Sequence, residues 1–141
     1  MRLIMALVLI LAGCTTLPPG GKYTEAEMMN AAAALTKVSA AAEANLRYGS
    51  SAAALSDADF LAESVAHDPG LLLPLSAYQI KSMRKDGYSA ILLCTQDGSK
   101  ALLEDAGCTA ALDRHRWRDD PDSSCVFTVE LKQLCTSATA R

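Results

Sequence analysis

Two Asp-Gly steps, Asp86-Gly87 and Asp97-Gly98, constrain this chain more than any other feature. Both central residues of a two-residue type I′ hairpin turn need positive φ, which Asp and Gly tolerate and bulky side chains do not. Each step therefore predicts a reversal between neighbouring strands. The strands expected are Ala77 to Lys85, Tyr88 to Gln96 and Ser99 to Ala106. The first turn sets Ile80 opposite Leu93 and the second sets Leu93 opposite Leu102, so these three share one face. Leu92 and Leu103 then pair on the other face, and the middle strand, apolar on both sides, belongs in the centre.

A fourth strand is expected in CVFTVELKQLC, where Cys125, Phe127, Val129 and Leu131 look one way and Thr128, Glu130 and Lys132 the other. Ahead of the sheet, Thr24 to Tyr48 reads as one long helix. Thr24 and Glu27 make a capping box, and Gly49-Ser50-Ser51 ends it. Its apolar face is Met28, Ala31, Leu35, Val38, Ala42 and Leu46. Ser56 to His67 makes a second helix, capped by Ser56 with Asp59, with Ala58, Leu61, Ala62, Val65 and Ala66 on its inner face; Asp68-Pro69-Gly70 stops it. The fold class expected is α+β: two N-terminal helices packed on one face of a four-stranded, largely antiparallel sheet.

The N-terminus carries a different kind of information. Leu3 to Ala12 are ten apolar residues behind Arg2, matching the charged start and apolar core of an export signal. A membrane-spanning helix needs about 20 such residues, so this run is too short for one. It closes on Leu11-Ala12-Gly13-Cys14, where small side chains at 12 and 13 let an extended backbone enter a peptidase cleft. This stretch resembles the lipobox of bacterial lipoprotein precursors. The resemblance implies that Cys14 takes a diacylglyceryl group, that the chain is cut before it, and that acyl chains such as palmitate anchor the mature protein. At about 0.8 kcal/mol per buried methylene, two or three chains hold a protein on a bilayer essentially permanently. Thr15, in place of the Asp that marks inner-membrane retention in enteric lipoproteins, favours the outer membrane, facing the periplasm. The domain organisation expected is a removed signal peptide over 1–13, a lipid anchor and tether over 14–22, and one α+β domain over 23–141. In the tether, Pro18-Pro19 favours extension and Gly20-Gly21 flexibility.

Composition shows why such a domain would need covalent help. The 50% hydrophobic content is inflated by alanine and only 5% is aromatic, so little large apolar area is available for a core. After Cys14 come Cys94, Cys108, Cys125 and Cys135, an even number, which in an exported chain implies two disulfides. No metal site is expected, because no CxxC pair is present and His67 and His115 are scattered. A strand from Cys125 through Lys132 would span about 23 Å at 3.3 Å per residue, too far for three more residues to return, which disfavours 125 with 135. The hairpin register disfavours 94 with 108. The pairing expected is Cys108 with Cys125, leaving Cys94 with Cys135. SKALLEDAGC also admits a short helix capped by Gly107, which would instead bring Cys94 and Cys108 together.

Candidate chemistry is sparse. The loop TAALDRHRWRDDPDSS offers Arg114, Arg116, Trp117 and Arg118 as a grip for an anionic or aromatic partner. Asp113, Asp119, Asp120 and Asp122 balance those arginines, and an internally paired loop with Trp117 plugged into the core is the rival reading. Leu71 to Leu75 reads as core lining between helix and sheet, or as an exposed docking strip. His67 sits in the last turn of a helix, facing the negative end of its macrodipole. Glu104-Asp105, adjacent on a strand, point to opposite faces, and one partly buried acid and one exposed one are expected.

No Gly-x-Ser-x-Gly elbow, Gly-rich phosphate loop or metal-ligand spacing is present, so neither catalytic residues nor a cofactor are expected. A formal charge of −3 argues against nucleic acid as a partner. The function expected is that of a lipid-anchored envelope protein, non-enzymatic, acting by protein contact as an accessory of an envelope or secretion assembly. A periplasmic inhibitor or immunity-type binder is the first alternative and a small envelope hydrolase the second.

Overall fold

The structure, a computed structural model, describes residues 23–50, 54–109, 112 and 114–139. The signal, Cys14 and the tether lie outside the described residues, as does Asp113. The elements are α1 (Glu25–Tyr48), α2 (Asp57–Ser64), a 3-10 helix (Pro69–Leu75), β1 (Gln79–Lys85), β2 (Tyr88–Cys94), β3 (Ala101–Ala106), α3 (Arg116–Asp119) and α4 (Leu131–Thr139). The fold is α+β, with a three-stranded antiparallel sheet ordered β1-β2-β3 and two disulfides.

α1 starts where its capping box places it: the Thr24 hydroxyl accepts the Glu27 N–H and the Glu27 carboxylate accepts the Thr24 N–H. Met28, Ala31, Leu35, Val38 and Ala42 are buried in the main core. α2 is shorter than expected and turned differently. Its Ser64 hydroxyl donates to the Phe60 carbonyl at 2.6 Å and the helix stops there, leaving His67 exposed in the following turn. Phe60, Leu61 and Val65 are buried, whereas Ala58, Ala62 and Ala66 are exposed. An aromatic ring gains several times more from burial than a methyl group, so Phe60 rather than the alanines sets the inner side. The Arg84 guanidinium lies 4.7 Å over the Phe60 ring and donates to the Leu55 carbonyl and to Asp57, pinning α2 to β1.

The first hairpin matches its sequence. Asp86 and Gly87 have φ of 56° and 79°, and Ile80 pairs with Leu93. The second is shifted by one residue. Its turn is not the type I′ expected: Gly98 has a positive φ of 70° but Asp97 does not, and the Gly98 N–H donates to the Thr95 carbonyl at 2.8 Å, which puts Gln96 and Asp97 at the centre of the turn. Cys94 pairs with Ala101, but from Leu93 onward the partners are Leu103, Glu104 and Asp105, with Leu102 as the extra residue of a bulge. β2 is nonetheless the central strand, buried on both faces.

Asp97 holds this second turn. Its carboxylate accepts from the Thr95 hydroxyl at 2.5 Å and from the Ser99 N–H and hydroxyl. These bonds, the Thr95 one foremost, lower its pKa from 3.8 to about 2. A depressed carboxylate pKa adds stability above the unfolded value and loses it as pH falls through the folded one. Amide exchange at Ser99 should therefore be slow above about pH 4 and accelerate, relative to its intrinsic rate, only toward pH 2. Acceleration already at pH 5 would show that another group governs the turn.

The two faces of the sheet are covered unequally. The front, under α1, α2 and the 3-10 helix, is built of large side chains: Met28, Leu35, Phe60, Leu75, Ile91, Leu93 and Leu103. The back of β2 and β3 presents mainly small ones, Ala90, Cys94, Ala101 and Ala106, with Leu92, and is covered by residues 125–131 and α4. The fourth strand expected there does not exist. Burial alternates as predicted, with Cys125, Val129 and Leu131 buried and Val126, Thr128 and Glu130 exposed, but the segment makes no ladder. Leu131, Leu134 and Cys135, at i, i+3 and i+4, continue as one face of α4 instead.

This turn into a helix also overturns the disulfide pairing expected. The bridges are Cys94–Cys125 and Cys108–Cys135, with Cα separations of 5.7 and 5.5 Å. Neither Cys108–Cys125 nor Cys94–Cys135 forms. An isolated bridge between Lys100 and Ser124 sets Cys125 beside the start of β3. The chain then follows β3 to its far end, where α4 returns Cys135 to Cys108. The two local pairings are likewise absent, so the bridges interleave and staple the thin back layer to the sheet.

One close approach fixes α1 against β3. A Cβ on Gly107 would stand 2.5 Å from both the Glu43 Cβ and the Ser39 carbonyl oxygen. Gly107→Ala is expected to cost about 1–3 kcal/mol by overpacking. Urea denaturation checks this, and an unchanged midpoint would mean that α1 retreats freely.

Candidate functional site

An open cleft of about 750 Å³ lies between the 114–120 segment and α4. Arg114, Arg116, Asp119 and Asp120 form one wall; Thr128 to Glu130 with Gln133, Leu134 and Ser137 form the other. A shallower hollow adjoins it along Glu130, Lys132, Gln133, Thr136 and Ser137.

Glu104 organises the base of this cleft, and its burial corrects the expectation for the acidic pair. Glu104 and Asp105 are both fully buried, on opposite faces of β3. The Glu104 main chain exchanges two 3.1 Å bonds with Arg114 on the outer edge of the sheet. Its carboxylate accepts the Thr128 N–H at 2.5 Å, the Thr128 hydroxyl at 2.6 Å and the Val129 N–H at 2.9 Å. One side chain thus satisfies the backbone donors that a neighbouring strand would otherwise have taken, which is why residues 125–130 can stay extended in burial pattern without a ladder.

Arg116 completes the arrangement from the other wall. It is 6% exposed, and its guanidinium donates to the Ser123 hydroxyl, Glu104, the Val126 carbonyl and the Ser124 carbonyl. A guanidinium so engaged is structural rather than a grip for an anion. Trp117 is half-buried against the main core, with its indole N–H buried and without a hydrogen-bond partner. Arg118 is exposed, 3.3 Å from Asp119 and 4.0 Å from Glu25. Of the four residues singled out from the sequence, Arg114 and Arg116 line the cleft, Arg118 forms surface ion pairs, and Trp117 packs on the core.

Asp119 and Asp120 entered the sequence reading only as charges balancing the arginines, and Glu130, Gln133 and Ser137 not as site residues at all, because they lie ten or more residues beyond Asp120, on and beside α4, which the Cys108–Cys135 bridge holds against the sheet. Asp119, Asp120 and Glu130 line the cleft with the exposed Arg114, and Asp119 is already paired with Arg118, so the rim carries both signs of charge. Such a surface can hydrogen-bond and pair with a macromolecular segment. Among the described residues no three His, Cys, Asp or Glu side chains are grouped to hold a metal. Glu43 was also missed. It is buried, accepts from the Ser89 N–H and hydroxyl at 2.7 and 2.9 Å, and pairs with Arg47 at 2.8 Å. The i, i+4 spacing of Glu43 and Arg47 was the available signal.

Comparison with protein-family models, with curated proteins and with solved structures found no match for this chain.

Proposed function

We propose that this chain is a lipid-anchored bacterial envelope protein, held at the outer membrane through Cys14, that works by contact as an accessory of an envelope or secretion assembly. Two disulfides consuming all four cysteines beyond Cys14 carry this reading, since such pairing belongs to an oxidising compartment. They also make the cleft beside α4 a preformed surface, which limits the ordering cost of binding. Its exposed Asp120 and Glu130 offer carboxylates to a basic protein segment.

A photo-crosslinking residue at Gln133, in the full chain in cells, should capture envelope proteins. Capture should fall at least tenfold in Asp120→Lys/Glu130→Lys, whose side chains are exposed. Equal capture by that variant would reject the cleft as the contact. Loss of the Gln133 crosslinks in Cys14→Ser separates an anchored accessory from a periplasmic inhibitor, which would still bind without lipid.

A further inference from the structure

Tyr23 is nine residues beyond Cys14, a distance the chain can bridge with at most about 30 Å. Its ring lies 6.2 Å from that of Tyr78, so the anchored end of the domain is the end where α1 begins and β1 is entered. The 3-10 helix Pro69–Leu75 reaches this place through two successive turns: the Ser76 N–H donates to the Leu73 carbonyl and the Tyr78 N–H to the Leu75 carbonyl. A 3-10 helix repeats every three residues, which aligns Leu72 with Leu75 and leaves Leu73 on a different side. Leu75 is fully buried and Leu72 is packed on the core, whereas Leu73 is 73% exposed and Pro74 beside it is exposed too.

An apolar side chain held outward on a short rigid helix, at the end of the domain that the tether serves, fits one occupant best. We propose that Leu73 and Pro74 make a second, non-covalent contact with the bilayer, entering the interface of zwitterionic lipids beside the acyl anchor. This rests on the lipidation of Cys14. Glu25 and Glu27, in the first turn of α1, make the same end acidic and so favour zwitterionic over anionic headgroups. One leucine and one proline would bind a membrane feebly from solution. A tether this short raises the effective concentration of the surface to the millimolar range, where a feeble contact is enough to orient the domain. The orientation would turn the cleft and α4 to a fixed direction relative to the membrane.

The test uses full-length acylated protein in phosphatidylcholine vesicles, with Leu73→Cys carrying an environment-sensitive fluorophore. The remaining cysteines are oxidised or acylated, so this thiol is unique. Tyr48→Cys, 86% exposed at the other end of α1, about 35 Å from Glu25, serves as the comparison. The expected result is blue-shifted emission at 73, quenched by lipid-borne nitroxide at least threefold more than at 48. Equal, water-like emission at both positions in protein that floats with the vesicles and bears acyl chains would overturn the contact alone. A blue shift without nitroxide quenching would give the site to a protein occupant and overturn it as well. Protein that bears no acyl chain would overturn the anchor, and the contact with it.

Discussion

Glu104→Ala is expected to destabilise the domain by about 3–5 kcal/mol, the cost of removing one partner from a buried, hydrogen-bonded ion pair. The loss is large because a single carboxylate answers four donors. Without it the Thr128 and Val129 N–H groups lose their acceptor, the Thr128 hydroxyl loses a partner, and Arg116 keeps a buried positive charge with no carboxylate beside it. A domain of this size has about 6–18 kcal/mol in total, so the variant should sit near the edge of folding. The urea midpoint reads the energy. Amide exchange at Thr128 and Val129 reads the cause, because these two should lose protection well before the core amides of β2. A midpoint within 1 kcal/mol of the parent would mean that water or another acceptor replaces the carboxylate, and the view of Glu104 as the substitute for a missing strand would fail.

Removing either disulfide has an effect of the same order. The bridges join residues 31 and 27 apart, and in the chain-entropy model loops of this length correspond to about 3.5 kcal/mol each. Cys94→Ala/Cys125→Ala and Cys108→Ala/Cys135→Ala should each lose roughly that amount, although the thin back layer predicts different local consequences. The back of the sheet offers mostly alanine to residues 125–131 and α4, so little apolar area holds them when the bridges go. Reduction of both should free α4 first and leave β1–β2 protected under α1 and α2, whose core is made of Met, Leu, Ile and Phe. Exchange measured by mass spectrometry on reduced and oxidised protein checks this. Uniform loss of protection across both layers would show one cooperative core and contradict the division into a self-sufficient front and a stapled back.

The parts legible in the sequence were those set by local chemistry. The Thr24 and Ser56 caps, the Asp86-Gly87 turn and the apolar face of α1 each depend on residues within a few positions of one another, and each stands where the pattern put it. What failed depended on distant partners. Alternation from Cys125 to Leu131 correctly reported which side chains turn inward, but burial alternates equally whether a backbone meets another strand or a carboxylate from Glu104. Once that segment was read as a strand, Cys135 was placed too far along it, and the disulfide pairing inherited the error. The one-residue slip of the second hairpin comes from the Leu102 bulge, which no local signal near Asp97-Gly98 announces. The cleft was half visible: its arginine-rich wall is contiguous in sequence, whereas the α4 wall arrives through a disulfide.

Everything proposed about location and partner follows from acylation at Cys14 and export to an oxidising space. Mass spectrometry of the protein purified from membranes tests both at once. The mature chain should begin at Cys14 with its mass raised by a diacylglyceryl group and an N-terminal acyl chain, and tryptic digestion without reductant should give 94–125 and 108–135 linked peptides. A chain that keeps residues 1–13, with an unmodified Cys14 and four free thiols, would contradict the account.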